Sequence, residues 1–190
     1  MMKTICVFCG SSKGTKIEYQ QACTELAELF IKENITLVYG GGDVGLMGLL
    51  ADAMLERGGR VIGVIPKALA DKEVAHSNLT ELHIVGSMHE RKAMMAELSD
   101  GFIAMPGGIG TLEEIIEVFT WTQLGIHSKP CGLLNIAGYY DRLFEFLQQM
   151  VDQEFLKPFH LSMMVMENKA EALLQAMKNA NVAYIDKWWK

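Results

Sequence analysis

Missing from this sequence is any apolar run near the roughly 20 residues of a membrane-spanning helix. The apolar part of the N-terminus, Met1-Met-Lys-Thr-Ile-Cys-Val-Phe8, is too short for a signal peptide and runs into a glycine turn. The cytoplasm is therefore the expected compartment. Basic charge is also scarce: 17 Lys and Arg stand against 23 Asp and Glu, a formal net charge of −6. That balance argues against a nucleic-acid backbone or an anionic membrane as main partner, and a phosphorylated ligand would need a local positive site. Four cysteines, Cys6, Cys9, Cys23 and Cys131, are too few for a secreted disulfide scaffold. Cys6-x-x-Cys9 has a metal-like spacing, but in a strand positions i and i+3 point to opposite faces, so core cysteines are expected. The histidines (His76, His83, His89, His127, His160) lack H-E-x-x-H or similar metal spacing, and surface or capping roles are expected of them. Neither a metal nor an organic cofactor is called for. No G-x-x-x-x-G-K-S/T occurs, which argues against a P-loop nucleotidase.

What is present is a regular alternation. At 190 residues, half of them hydrophobic, residues 1–190 read as a single nucleotide-binding α/β domain with a continuous core. Strands are predicted near 3–9, 35–39, 60–65, 82–85, 101–105, 131–135 and 163–166. Helices are predicted over 18–32, 44–57, 88–98, 112–124, 139–153 and 169–179, where apolar residues recur at helical spacing. Residues 67–79 are irregular and polar, long enough for a functional loop. Alternating strands and helices imply right-handed crossovers and one doubly wound parallel sheet, Rossmann-like, with helices on both faces. Ligands of such sheets bind beyond the carboxyl ends of the strands. Glycine or serine turns follow three strands, at 10–14, 40–45 and 107–110, and are expected to share one rim. Met94, Met95, Met163, Met164 and Met166 suit core or dimer packing, and Trp188-Trp189 is unusual near a terminus.

Gly40-Gly-Gly-Asp-Val-Gly45 matches the dinucleotide fingerprint, which also expects an acidic residue about 20 positions on. The next strand ends Val64-Ile65-Pro66-Lys67 instead, so a dinucleotide is disfavoured; tight strand–helix packing and a phosphate cradle stay open for Gly41 and Gly42. Ser87 and Glu90 have capping-box spacing. Arg91 and Lys92, in the first turn of that helix, oppose its dipole, which points to a solvated basic edge or an anionic ligand. The segment organising the rest is Met105-Pro-Gly-Gly-Ile-Gly-Thr-Leu-Glu-Glu114. A strand, a glycine turn and a helix start make an anion cradle, with Glu113 and Glu114 beside it. Thr111 and Glu114 also have capping-box spacing, with Thr111 as the cap.

The stretch Pro106-Gly-Gly-Ile-Gly-Thr-Leu-Glu-Glu114 resembles the P-G-G-x-G-T-x-x-E signature of the Lonely Guy family, phosphoribohydrolases often labelled lysine decarboxylases. Cys9-Gly-Ser-Ser, Val38-Tyr-Gly-Gly-Gly, Val44-Gly-Leu-Met-Gly48, Met88-His-Glu-Arg-Lys92, Trp121-Thr-Gln-Leu-Gly-Ile-His127 and Gly138-Tyr-Tyr140 agree in family order. Asp43 departs from it, standing where a small hydroxyl residue is expected. The resemblance implies cleavage of the N-glycosidic bond of AMP or an N6-modified (cytokinin) analogue, giving free base and ribose 5-phosphate. It implies Arg91 and Glu114 as the catalytic pair. It implies substrate contacts at Glu73, Lys92, Gly108, Ile109, Gly110, Thr111 and Thr120, without a metal or cofactor, in a homodimer. Gly107 joins them as part of the phosphate anchor, and Leu112 and Glu113 as neighbours on the same helix start, with Glu113 turned about 100° from Glu114 and outward. Two other readings compete. A non-catalytic nucleotide or molybdopterin-type carrier would tolerate loss of Glu114. A decarboxylase would need pyridoxal phosphate on a Schiff-base lysine, for which Lys92 is the lysine near the proposed site.

Overall fold

The computed structural model describes residues 2–70, 72 and 75–182. Seven strands form one parallel sheet: β1 Thr4–Phe8, β2 Thr36–Tyr39, β3 Val61–Pro66, β4 Glu81–Val85, β5 Gly101–Ala104, β6 Cys131–Leu134 and β7 Met164–Glu167. Between and after them run α1 Ile17–Lys32, α2 Gly45–Glu56, α3 Lys67–Ala70, α4 Met88–Glu97, α5 Ile109–Gln123, α6 Asp141–Asp152, α7 Pro158–Leu161 and α8 Ala170–Asn179. The spatial order is β4-β3-β2-β1-β5-β6-β7. The chain builds outward from β1 on one side, then returns through α4 to β5 on the other. The direction of winding thus reverses between β1 and β5, where an open α/β sheet leaves a crevice for ligand. Residues Ile5 to Phe8 lie in register with Gly101 to Ala104 there.

Alternation along the strands divides the core in two, as a two-residue period requires. Ile5, Val7, Leu37, Tyr39, Val61 and Ile103 point to α1, α2 and α8. Cys6, Phe8, Val38, Ile62, Val64 and Phe102 point to the other face, against Met95 of α4, Ile115 and Phe119 of α5, and Leu147 of α6. Central strands buried on both faces read as near-continuous apolar runs, and these do. Cys6 and Cys9 fall in opposite clusters, so they cannot share an ion. Met95, Met163 and Met164 are buried. No helix among the described residues is long and apolar enough to cross a membrane.

The loop expected at 67–79 contains the short α3, after which the chain folds back and Ala75 makes an antiparallel bridge to Gly42. Trp188-Trp189 lies outside the described residues. The largest correction concerns α5. It begins at Ile109, not Leu112, with Gly108 as its N-cap and no side-chain cap. Thr111 is therefore a buried residue inside the first turn, and the expected Thr111–Glu114 capping box does not form.

Candidate active site

The turns after β1 and β5 meet at the crossover. Gly10 N–H donates to the Pro106 carbonyl (3.1 Å), and Leu46 N–H at the start of α2 donates to the Gly10 carbonyl (2.9 Å). Gly107 is required by packing, because a Cβ there would overlap the Thr111 side chain. At Gly108 and Gly110 a Cβ would meet nothing within 4 Å, so these glycines answer to no neighbour among the described residues. The backbone N–H groups of Ile109, Gly110 and Thr111 precede the first intrahelical bond of α5, from Leu112 N–H to the Gly108 carbonyl (3.2 Å), and the N-cap Gly108 offers them no side-chain acceptor. A helix start without an N-cap side chain carries a partial positive charge suited to an anion. A cavity of about 300 Å³ opens between the two turns, lined by Ser11, Ser12, Lys13, Gly107, Gly108 and Tyr139 among others. Tyr139 donates from its hydroxyl to the Gly107 carbonyl (2.5 Å) and Tyr140 to the Met105 carbonyl (2.7 Å), pinning the glycine turn.

Arg91, only 6% exposed, enters from α4. Its Nε donates to the Val64 carbonyl (3.1 Å) and its Nη2 to the Gly40 carbonyl (3.0 Å). The guanidinium is thus aimed by the C-terminal parts of β3 and β2. The remaining nitrogen, Nη1, lies 3.9 Å from Glu114 Oε1 and 3.9 Å from Met88 Sδ. At that length the Arg91–Glu114 contact is an ion pair, not a direct hydrogen bond. Glu114 points inward: burial pushes the Cys6 thiol well up, the Glu114 carboxylate adds to that rise and Arg91 opposes it. Burial, Cys23 and Glu114 likewise raise Cys9. Gly40 is explained by the same arrangement, since a Cβ there would occupy the space of the guanidinium. The expected capping pair Ser87 and Glu90 holds the start of α4. Ser87 Oγ accepts from Glu90 N–H (3.1 Å), and Glu90 Oε2 accepts from Gly86 N–H (2.8 Å), one residue earlier than a capping box requires.

The other expected contacts separate into groups. Lys92 is held between Glu113 and Glu117. Ile109, Leu112, Glu113 and Thr120 line a larger, apolar groove of about 710 Å³ between α5 and α6. Thr120 Oγ1 donates back to the Ile116 carbonyl (2.8 Å). Gly41 accepts from His76 N–H (3.0 Å), and Gly42 pairs with Ala75, so part of that turn is occupied by backbone. Glu73 lies outside the described residues. Neither cavity is lined by Arg91 or Glu114. The pair stands between α4 and α5, with Arg91 held on the carbonyls of Gly40 and Val64, and this pair with the nearby start of α5 is the candidate reacting region. Lys13, Tyr139, and the carbonyls of Gly40 and Val64 were not expected there. The Gly138-Tyr-Tyr140 match was the one signal for Tyr139, and backbone carbonyls leave none.

Asp43, Asp52 and His76 place one donor atom each within 4.8 Å of one another. His76 Nδ1 accepts from Asn78 N–H (3.2 Å), which puts the ring hydrogen on Nε2, 3.0 Å from Asp52 Oδ1. That tautomer offers a metal no lone pair at Nε2. His76 and His160 are buried, at 4% and 1% exposure, which rules out the surface half of the surface or capping roles expected of them. Lys92 does not fit pyridoxal chemistry. Burial works against its charge, but hydrogen bonds to Glu113 and Glu117 outweigh it and hold its pKa above the ordinary lysine value, whereas Schiff-base formation needs a free amine.

A family model described as "Possible lysine decarboxylase" matches residues 47–177. The chain is 49% identical over 177 residues to cytokinin riboside 5′-monophosphate phosphoribohydrolase LOG1 of Arabidopsis thaliana, covering 93% of this chain and 83% of that protein. It is 50% identical over 176 residues to the probable phosphoribohydrolase LOGL6 of Oryza sativa subsp. japonica, covering 93% and 70%. Among solved structures, the Moco carrier protein from Chlamydomonas reinhardtii superposes with a TM-score of 0.70 at 19% identity, covering 94% of this chain and 96% of that one. The molybdenum cofactor binding protein from Rippkaea orientalis gives 0.69 at 21%, covering 94% and 96%. At such identities the likeness is one of fold.

Proposed function

This chain belongs to the Lonely Guy family of cytokinin riboside 5′-monophosphate phosphoribohydrolases, and from that premise we propose how it works. The enzyme hydrolyses the N-glycosidic bond of an adenine-type nucleoside 5′-monophosphate. Water adds to C1′ of the ribose, the C1′–N9 bond breaks, the departing base gains a proton, and ribose 5-phosphate remains. Positive charge develops on the sugar as the bond opens. Glu114 meets that charge, as an electrostatic partner or as nucleophile. Arg91 binds the sugar and orients the carboxylate. Its two fixed carbonyl bonds mean that this geometry is set before substrate arrives.

The phosphate sits on the amides of Gly107 to Thr111, where Gly108 and Gly110 keep the approach open. Gly41, Gly42, Glu73 and Thr120 are further substrate contacts. The observation that carries this reading is the buried Arg91–Glu114 pair beside an uncapped, glycine-lined helix start. We read the whole chain as one nucleotide-binding domain, acting in the cytoplasm, where four free, buried thiols suit a reducing medium. The exposed Ile109, Phe146 and Phe155 around the α5–α6 groove suit a homodimer, for which light scattering should return twice the chain mass. The test of the activity is incubation with AMP and with its N6-isopentenyl analogue, resolving free base by chromatography. Release of adenine or its N6-substituted form is expected. Binding without release from either would favour a carrier.

A further inference from the structure

Lys92 and Glu113 stand next in sequence to Arg91 and Glu114, and the two pairs form successive rungs between α4 and α5. The inner rung is loose, at 3.9 Å. The outer rung is tight: Lys92 Nζ lies 2.5 Å from Glu113 Oε1 and 3.0 Å from Glu117 Oε2. Arg91 is aimed by β2 and β3, and neither strand controls the rotation of α5 about its own axis. Consecutive helical residues stand about 100° apart, so a small rotation of α5 swings Glu114 across the face of the guanidinium. Packing of Ile115, Val118 and Phe119 on the sheet restrains α5, but apolar contacts are non-directional.

We infer that Lys92 is a positioning residue: held between Glu113 and Glu117, it locks α5 in one rotation against α4 so that Arg91 and Glu114 face each other. The inference rests on the phosphoribohydrolase reading for its consequence, and it departs from the expectation that Lys92 grips the substrate. Three observations favour the positioning role. The Lys92 side chain is only 10% exposed. Two of its three ammonium hydrogens are taken by carboxylates. One lysine between two glutamates leaves a local charge of −1, a poor receptor for a phosphate. Glu113 and Glu117 are also four apart on one helix, where like charges repel unless a cation stands between them.

The test measures kcat and KM for AMP in Lys92→Met, Lys92→Arg and the double variant Glu113→Gln/Glu117→Gln, with melting temperatures alongside. Lys92→Met should lower kcat by about 10- to 100-fold, as misplacement of a catalytic group does. Its KM should change by less than about threefold. Lys92→Arg should recover most of kcat. The double variant, which cuts the same link but keeps the ammonium, should reproduce the kcat loss. A rise in KM for Lys92→Met, with unchanged kcat and a lowered KM in the double variant, would overturn the inference and make Lys92 a phosphate contact. Should Lys92→Met fail to fold, the double variant decides. A crystal structure of Lys92→Met needs no substrate and separates the two readings. The Arg91 Nη1–Glu114 Oε1 distance should move away from 3.9 Å; unchanged spacing would refute the strut even if AMP proves not to be the substrate.

Discussion

Replacing Gly40 by alanine adds one methyl group at a buried point. In the native protein Gly40 presents its carbonyl to Arg91 Nη2 at 3.0 Å, and the new Cβ would occupy the space of that same guanidinium. The side chain cannot swing clear cheaply, since it is 6% exposed and tied by Nε to the Val64 carbonyl at 3.1 Å. Relief requires giving up the Gly40 bond, a charge-assisted contact of about 1.5–3 kcal/mol. Overpacking of this kind costs about 1–3 kcal/mol by its own measure, and since the two estimates describe one event they do not add. A loss of about 2–3 kcal/mol is expected, lowering Tm by roughly 4–12 °C for a chain of this size. The catalytic consequence is larger. Displacing Arg91 by the width of a bond misaligns it with Glu114, and kcat should fall by about 100-fold. Calorimetry and chromatographic release of adenine from AMP measure the two effects. A Gly40→Ala enzyme with native Tm and native kcat would show that Arg91 is not held as described.

Gly110→Ala should behave in the opposite way. The added methyl meets no neighbour and improves helix propensity by about 1 kcal/mol, so Tm should hold or rise while KM for AMP increases through obstruction of the phosphate. Native KM would remove the phosphate from this helix start. Glu114→Gln should lower kcat by roughly 10²–10³-fold with little change in Tm, because the amide keeps the shape and most of the hydrogen-bonding capacity of the carboxylate; unchanged turnover would end its catalytic role. His127 supplies a pH prediction. Burial, then the neighbouring Lys129 charge, lowers its pKa from 6.5 to about 4. The unfolded chain takes up the proton first, so this contribution to stability is whole above pH 6.5 and drains away as pH falls toward 4. Partial exposure holds the effect to about 1 kcal/mol. Melting curves at pH 7 and pH 5 should show a smaller acid loss for His127→Gln than for the native protein; equal losses would exclude the mechanism.

The sheet was legible in the sequence because buried parallel strands are short apolar runs ending in glycine or proline, and Phe8-Cys9-Gly10, Tyr39-Gly40 and Met105-Pro106-Gly107 all carry that stamp. The shared rim followed from parallel topology alone. What escaped was whatever depended on atoms without a one-letter code. Thr111 has the chemistry of a cap and the spacing of a capping box, yet backbone geometry lets the helix begin two residues before it, at Ile109. Arg91 is positioned by carbonyls 27 and 51 residues away, which any residue type could supply. Gly40 was readable as part of a triple glycine but not as the one that makes room for a guanidinium. Polarity alone points His76 and His160 to surface or capping roles, and their burial depends on how loops pack. Lys92 was read by its charge and its neighbour Arg91. Its partners on α5 become visible only when α4 and α5 lie side by side.

The most direct measurement is a crystal structure of the Glu114→Gln enzyme with AMP, slow enough to keep its substrate whole. The ribose should lie between Arg91 and residue 114, C1′ toward the amide that replaces the carboxylate, with the phosphate on the N–H groups of Ile109, Gly110 and Thr111. A sugar bound in the α5–α6 groove, with the crossover between β1 and β5 left empty, would contradict the account.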